Sequence, residues 1–224
     1  MSDAKDEHEK IVGAILEGSP FGLQDNALVM LNHFVSEYLH WGRSIHLVSR
    51  RDPGSSLATQ IVESLFMLDF AGNLLSGRGG GPFQVADVGS GYGFPGLVWS
   101  LVREDMDITL VERKEKCVSF LEMMISRIGM GRVQVMRADA GKIDIPQRFD
   151  LVTTKAAGRL SDAIPIVSGL MNDDGLYVTI KEAAWEWEVD GLDLRGMVLV
   201  SREDLPGKTG VLLAFGKEGW DDTR

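Results

Sequence analysis

Asp87-Val88-Gly89-Ser90-Gly91-Tyr92-Gly93-Phe94-Pro95-Gly96 is the most informative segment of this 224-residue chain. It follows a short apolar run, 83–88, and precedes a helical pattern from Pro95, a residue suited to the first turn of a helix. Its glycines permit positive φ angles and let a ligand approach bare backbone. A strand, a glycine-rich loop and a helix in this order predict a ligand site beyond the carboxyl ends of the strands of a parallel sheet.

Beyond this loop, short apolar runs alternate with helical patterns. Four runs predict further strands, over 108–111, 132–137, 149–153 and 176–180. Helical spacing covers 114–128 and 160–170. Two late apolar runs, 197–200 and 211–215, are typical of an antiparallel pair that ends a sheet. Together these patterns predict a doubly wound, Rossmann-like α/β fold with a mostly parallel sheet.

The residues before the loop have a helical pattern throughout. Helical periodicity is weak over 1–18 and stronger from 28 to 39 and from 57 to 75, where apolar residues recur on one face. Ser55 or Ser56 is expected to cap the last of these helices, after a turn at Asp52-Pro53-Gly54. We therefore predict a helical extension in front of the sheet.

Glycines and a proline crowd the segment 77–82, which we interpret as a joint between two parts of the chain. The division is then a helical extension over 1–76 and a Rossmann-like domain over 83–224. No apolar run reaches the length of about 20 residues that a membrane-spanning helix needs. The acidic start of the chain is unlike a signal peptide, and one cysteine forms no internal disulfide. We expect a cytoplasmic monomer.

The net charge of −10 lies entirely in the two ends of the chain. Residues 41–181 hold 16 acidic and 16 basic residues. Local basic clusters within this neutral part are what contact with phosphates requires, although most such clusters are simply solvated. Seven basic residues are candidate contacts to an RNA backbone: Arg43, Arg50, Arg51, Lys114, Lys116, Arg137 and Arg159. We assign no chemistry to Trp185 and Trp187.

Two ligands compete for the glycine-rich loop. The pattern G-x-G-x-x-G over 91–96, with Glu112 21 residues beyond Gly91, is typical of a nicotinamide dinucleotide site. The pattern D-x-G-x-G, met by Asp87, Gly89 and Gly91, is that of methyltransferases that bind S-adenosylmethionine (SAM). A diphosphate favours a helix N-terminus, but the Asp87 carboxylate would repel it. SAM carries a sulfonium and an ammonium and no phosphate, so this charge favours SAM.

The ends of the second and third strands supply two more acidic residues. Glu112 ends the second strand, where its carboxylate is placed to accept hydrogen bonds from both ribose hydroxyls. Asp139 and the backbone of Ala138 close the third strand, where they are placed to meet an adenine ring. Asp139 serves equally well as the cap of a turn or helix, and spacing alone does not separate the two interpretations.

Other segments add to the loop a set of more specific motifs. They are Trp41-Gly42-Arg43-Ser44-Ile45-His46-Leu47-Val48-Ser49 with Arg51-Asp52-Pro53, Ile61-Val62-Glu63-Ser64-Leu65, Lys116-Cys117-Val118-Ser119-Phe120-Leu121, Arg137-Ala138-Asp139 and Thr153-Thr154-Lys155-Ala156-Ala157. With these motifs the chain resembles the bacterial 16S ribosomal RNA guanine-N7 methyltransferases of the RsmG (GidB) family. The resemblance runs from about residue 28 to residue 181.

The resemblance implies an enzyme that uses SAM to methylate N7 of one guanine in the 16S rRNA of the small ribosomal (30S) subunit. It implies that Gly89, Gly91 and Phe94 line the methionine and ribose side of SAM. Glu112 would hold the ribose, and Ala138 and Asp139 the adenine. Lys155 would lie near cofactor and substrate.

Six positions depart from the family pattern: Gly42, His46, Gln60, Glu63, Lys155 and Glu182. The family usually has Asn at the first two, His and Asp at the next two, Arg at the fifth and Gly at the last. Lysine keeps the charge of arginine but loses its forked donor geometry. The resemblance implies that these positions lie near the substrate side, so they bear on the target base more than on methyl transfer.

Guanine N7 has an in-plane lone pair and no proton, so its methylation needs no general base. None of the four histidines has metal or triad spacing, and we expect no metal site. The expected contribution of the enzyme is alignment of N7, methyl and sulfur. Three alternatives stay open: a methyltransferase with another RNA, protein or small-molecule substrate, an NAD-dependent oxidoreductase, and a non-enzymatic RNA-binding or nucleotide-sensing module.

Overall fold

The computed structural model describes residues 2–45, 53–78, 82–142, 146, 148–155, 158–207 and 209–220. Its sheet has seven strands in the order β3-β2-β1-β4-β5-β7-β6. The strands are β1 Phe83–Val88, β2 Met106–Glu112, β3 Val133–Arg137, β4 Phe149–Lys155, β5 Met171–Glu182, β6 Met197–Asp204 and β7 Gly210–Lys217. The helices are α1 Ser2–Gly18, α2 Asp25–Ile45, α3 Pro53–Leu75, α4 Gly96–Val102, α5 Glu115–Ile128 and α6 Leu160–Leu170.

Strands β1 to β5 are parallel, and β7 is antiparallel to both β5 and β6. From β1 the chain builds the sheet outward in one direction through β2 and β3, and then in the other direction from β4. The glycine-rich loop leaves β1 at the point where the direction changes. Such a switch point is where open α/β sheets bind ligands. The predicted doubly wound fold with an antiparallel end pair is therefore confirmed.

Side chains of α1 to α5 form one buried core together with β-strand residues. Phe34 of α2, Ile61 of α3, Trp99 of α4 and Phe120 of α5 all belong to it. The indole N–H of Trp99 donates to the Ser64 carbonyl over 2.7 Å and ties α4 to α3. The other core packs α6 against the sheet.

Residues before and after the segment 77–82 thus pack in one apolar core. Residues 79–81 of this segment lie outside the described residues. That 1–76 and 83–224 are separate domains stays a prediction.

The structure corrects one predicted boundary, lengthens one predicted strand and adds one short helix. Helix α3 begins at Pro53, so the prediction of a cap at Ser55 or Ser56 is wrong. Proline lacks the N–H that the first turn leaves unpaired, and this position suits it. Strand β5 begins at Met171, five residues before the predicted start, because a shift in register lets it pair with Phe149 across a segment that reads as a turn. A short 3₁₀ helix over Glu186–Glu188 has no counterpart among the predicted elements.

Candidate functional site

The glycine-rich loop turns sharply as it leaves β1. The backbone N–H of Gly89 donates to the carbonyl of Val111 on β2 over 2.8 Å. The N–H of Gly93 donates to the carbonyl of Ser90, also over 2.8 Å. Gly89, Gly91 and Gly93 have φ angles of 75°, 54° and 100°. Residues other than glycine rarely adopt positive φ angles, so the loop conformation requires glycine at these positions.

Asp87 lies behind the loop and is fully buried. Its Oδ2 accepts a hydrogen bond from the backbone N–H of Gly96, the first residue of α4, over 3.0 Å. Its Oδ1 has no hydrogen-bond partner within the described part of the chain. Burial is the largest cause that raises the pKa of the Asp87 carboxyl to about 7. The carboxylate therefore fixes the start of α4 with one oxygen and leaves an acceptor open with the other.

The raised pKa of Asp87 predicts a pH-dependent stability. Between its usual pKa of 3.8 and about 7, the folded chain holds a proton that the unfolded chain releases, so stability falls as pH rises. Relative to Asp87→Asn, which cannot ionise, the free energy of unfolding should increase by about 2–3 kcal/mol between pH 8 and pH 5. Urea unfolding of both proteins across this range measures it. A difference that is flat with pH would contradict the prediction.

Glu112 ends β2 directly beside the loop and is buried. Its Oε2 accepts from the N–H of Gly91 over 2.9 Å, and its Oε1 accepts from the N–H of Lys114 over 2.8 Å. Each oxygen keeps a second lone pair, because a carboxylate has about four acceptor sites. Glu112 therefore orients the loop and still has acceptor capacity for hydroxyl groups.

The end of β3 continues the same edge of the sheet. The N–H of Ala138 donates to the Glu112 carbonyl over 3.0 Å. The carboxylate of Asp139 lies 3.4 Å from the ammonium of Lys142 and 3.6 Å from the guanidinium of Arg113. The Asp139 carbonyl accepts from the N–H of Lys142 over 2.8 Å and closes a turn. Asp139 thus has the surroundings of a turn residue, and its role toward adenine stays a prediction.

A cavity of about 240 Å³ opens on the loop. Its wall includes four of the predicted cofactor-binding residues, Gly89, Gly91, Phe94 and Lys155. The other four, Asp87, Glu112, Ala138 and Asp139, lie outside this wall. The remainder of the wall comes from the loop itself and from α2 and α3, through Ser90, Tyr92, Tyr38, Ser56, Leu57 and Gln60.

Tyr38, Ser56 and Leu57 were not predicted to be part of the site. Tyr38 is buried against Phe94 and Phe120, with ring centroids 5.4 Å and 5.5 Å away. Burial raises the pKa of its hydroxyl well above the usual range. In the sequence, Tyr38 looks like any other apolar residue on the face of α2. Only the packing of α2 against the loop shows that it lines the cavity.

Lys155 ends β4, and α3 holds its ammonium. Nζ lies 3.0 Å from Oε2 of Glu63 and donates to Oε1 of Gln60 over 2.6 Å. It also lies 5.6 Å from the centre of the Phe94 ring. The side chain is 6% exposed and that of Glu63 is 16% exposed, so this ion pair is largely shielded from solvent. Lys155 therefore joins α3 to the carboxyl edge of the sheet.

A larger cleft of about 750 Å³ lies beside the loop cavity. Gln60 and Lys155 belong to both walls, so the two spaces adjoin at the Lys155 ammonium. Lys181 and Glu188 form a second shielded ion pair in the cleft wall, 2.8 Å apart. The arrangement suits two molecules that meet near Lys155, one on each side.

The predicted RNA contacts that the structure describes lie at the carboxyl edge of the sheet. Lys114 and Lys116 are exposed around the start of α5, and Arg137, at the end of β3, pairs with Glu115 at 3.1 Å. Arg159 is exposed just before α6. The side chain of Arg43 and all of Arg50 and Arg51 lie outside the described residues.

Among the residues that the structure describes, no three His, Cys, Asp or Glu side chains form a group able to hold a metal ion. Within the same residues, no helix combines the length and apolar character needed to cross a membrane.

Comparison with known proteins adds the family. Residues 27–202 match the family model of rRNA small subunit methyltransferase G, GidB. The chain is 30% identical to ribosomal RNA small subunit methyltransferase G of Halorhodospira halophila over 90% of this chain and 91% of that protein. It is 32% identical to the Sorangium cellulosum protein of the same name, over 72% and 67% of the two chains.

Among solved structures, the fold is similar to that of a T. thermophilus 16S rRNA N2 methyltransferase in complex with AdoMet and guanosine. The TM-score is 0.54 at 18% identity, over 69% of this chain and 43% of the other. The family model covers well over half of the chain and includes the loop, Glu112 and Lys155. The chain therefore belongs to the rRNA small subunit methyltransferase G (GidB) family.

Proposed function

We propose that this protein is a cytoplasmic, monomeric, SAM-dependent methyltransferase that acts on N7 of a guanine in the 16S rRNA of the 30S subunit. The observation that carries the proposal is the pair of adjoining spaces at Lys155. The glycine-lined cavity suits a nucleoside cofactor, and the larger cleft suits an acceptor base. Family membership agrees with this reaction.

The residues of the loop fit a cationic nucleoside. Oδ1 of Asp87 is an acceptor without a partner among the described residues, and Glu112 has lone pairs left over from its two backbone contacts. A Cβ added at Gly89 would meet no atom within 4 Å, so the loop leaves open space in front of its backbone. When bound, SAM supplies an electrophilic methyl group on a sulfonium.

The geometry of Asp87 argues against a dinucleotide. A diphosphate at the start of α4 needs free backbone N–H groups. The first of them, at Gly96, donates to the Asp87 carboxylate instead. A diphosphate there would lose this donor and lie near a buried acidic group. The loop is therefore better suited to a ligand without phosphate.

Methylation of N7 requires that the protein align the two reactants and place charged groups around the acceptor base. The acceptor has a lone pair and no proton to remove, so no side chain needs to act as a base. Holding two reactants in line supplies up to about 7–11 kcal/mol of the barrier. Lys155 is the cation at the junction of the two spaces. Its three N–H groups are occupied by Glu63 and by the side-chain and backbone oxygens of Gln60, so donation to the O6 oxygen of a guanine or to a neighbouring phosphate would replace one of these contacts.

Incubation with methyl-labelled SAM and 30S subunits, followed by mapping of the modified nucleotide, tests the proposal. We expect label on one guanine of 16S rRNA, with chemical cleavage diagnostic of N7 methylation. Calorimetry should show binding of SAM and no binding of NAD. Label confined to another RNA, or to small molecules, would overturn the rRNA assignment and leave the SAM assignment in place. Binding of NAD without SAM would overturn both.

A further inference from the structure

Trp187 is a large aromatic side chain left exposed in the wall of the 750 Å³ cleft. It lies on the short helix Glu186–Glu188 and is 59% exposed. Trp185, two residues earlier, is 6% exposed and packs in the core beneath α6. Trp187 belongs to neither apolar core. Its position is therefore not explained by packing.

The guanidinium of Arg159 lies over the Trp187 ring, 5.3 Å from its centre. Arg159 also lines the cleft and is exposed. The cleft cations Lys155 and Lys181 are each paired with a carboxylate, Glu63 and Glu188 respectively. Arg159 has no carboxylate within 4 Å among the described residues, and it is held by the ring instead. Among the described residues, no neighbouring carboxylate therefore neutralises the positive charge of Arg159.

We infer that Trp187 and Arg159 form a stacking platform for an unpaired nucleobase of the RNA that enters the cleft. This inference rests on the proposed rRNA substrate and adds a binding site for a base beside the target. Proteins recognise single-stranded RNA by stacking bases on aromatic rings and on guanidinium planes. An exposed indole with a guanidinium over it, in the wall of an acceptor cleft, provides both kinds of surface.

The surrounding charges favour a base over a phosphate at this position. The N–H of Leu160, at the start of α6, donates to the Glu188 carboxylate over 2.7 Å and is not free for an anion. Glu182 is exposed in the same wall and repels phosphate. The other two cations of this wall, Lys155 and Lys181, are each paired with a carboxylate, so Arg159 is a local cation among groups that are neutral, paired or acidic. A neutral, flat, polarisable group such as a nucleobase suits these surroundings.

Methylation kinetics on 30S subunits test the platform, with Trp187→Ala, Trp187→Phe and the control Val29→Ala. Val29 is 70% exposed on α2 and is not part of the cleft wall, so its variant removes exposed apolar surface elsewhere. In Trp187→Ala we expect KM for 30S subunits to rise about 5- to 150-fold, as loss of one stacked base predicts. The kcat at saturating 30S and the Kd for SAM should stay at parental values. Trp187→Phe should recover most of the loss, and Val29→Ala should match the parent.

A second measurement separates stacking from charge. Fluorescence anisotropy with a single-stranded RNA oligonucleotide, and with an abasic oligonucleotide of equal length, reports binding without turnover. Trp187→Ala should weaken binding of the first and leave binding of the second unchanged. Equal binding of the base-containing RNA by parent and variant would overturn the platform. A KM within twofold of the parent would do the same, while labelling of 30S by the parent would keep the proposed function. A parent that binds the oligonucleotide through Trp187 but does not label 30S would overturn the rRNA assignment alone.

Discussion

Gly89→Ala is expected to weaken SAM binding about ten- to a hundredfold while the chain stays folded. Gly89 has a φ of 75°, and a Cβ there would meet no atom within 4 Å. The substitution therefore introduces backbone strain of about 1–2 kcal/mol without a clash. Because Gly89 lines the loop cavity, the added methyl group takes space that a bound nucleoside needs. Calorimetry with SAM measures the affinity, and urea unfolding measures the strain.

Gly129→Ala provides a matched control for this strain. Gly129 has a φ of 79°, and a Cβ there also meets no atom within 4 Å. It ends α5, where its N–H donates to the Ile125 carbonyl over 2.9 Å, and it is not part of the cavity wall. Both variants should lose similar stability, and only Gly89→Ala should lose affinity. Parental SAM binding by both would show that the loop does not hold the cofactor.

Much of the fold could be predicted because local pattern and topology rules agree. The apolar runs of β1 to β4 are short and bounded by turn residues, and the helices between them carry clear periodicity. The prediction that failed here concerns the start of one strand, β5. Asn172-Asp173-Asp174-Gly175 has the composition of a turn, yet it lies within β5, since the pairing of Met171 with Phe149 extends the strand. Tertiary pairing here overrides turn propensity.

The site also has one part that the sequence predicts and another part that it does not. The residues that follow β1 and β2 could be predicted, because parallel strands bring their carboxyl ends to one edge. The α2 and α3 side of the cavity could not, since its contacts join residues far apart in the chain. Lys155 meets Gln60 and Glu63 across about 90 positions. The different fates of Trp185 and Trp187 also depend on packing alone, because both lie in the same acidic, tryptophan-rich segment.

Loss of the Lys155 charge is expected to damage both stability and catalysis, by separable routes. Lys155→Met keeps a long side chain but takes away the cation that lies 3.0 Å from the shielded Glu63 carboxylate. Removing one partner of a buried ion pair costs about 3–5 kcal/mol. The partial exposure of Glu63 lowers our expectation to about 2–4 kcal/mol of unfolding free energy. Urea unfolding at pH 7.5 measures this loss.

The double variant Lys155→Met with Glu63→Gln separates the two roles of the lysine. The neutral amide that replaces the Glu63 carboxylate needs no cation, so most of the lost stability should return. If the ammonium acts on the acceptor base at the junction of the two spaces, kcat/KM on 30S should stay at least 100-fold below the parent. Glu63→Gln alone, with its lysine intact, should keep more activity than the double variant. Recovery of activity together with stability in the double variant would mean that Lys155 serves only to attach α3 to β4, and the cation needed by the acceptor would then have to come from elsewhere in the cleft.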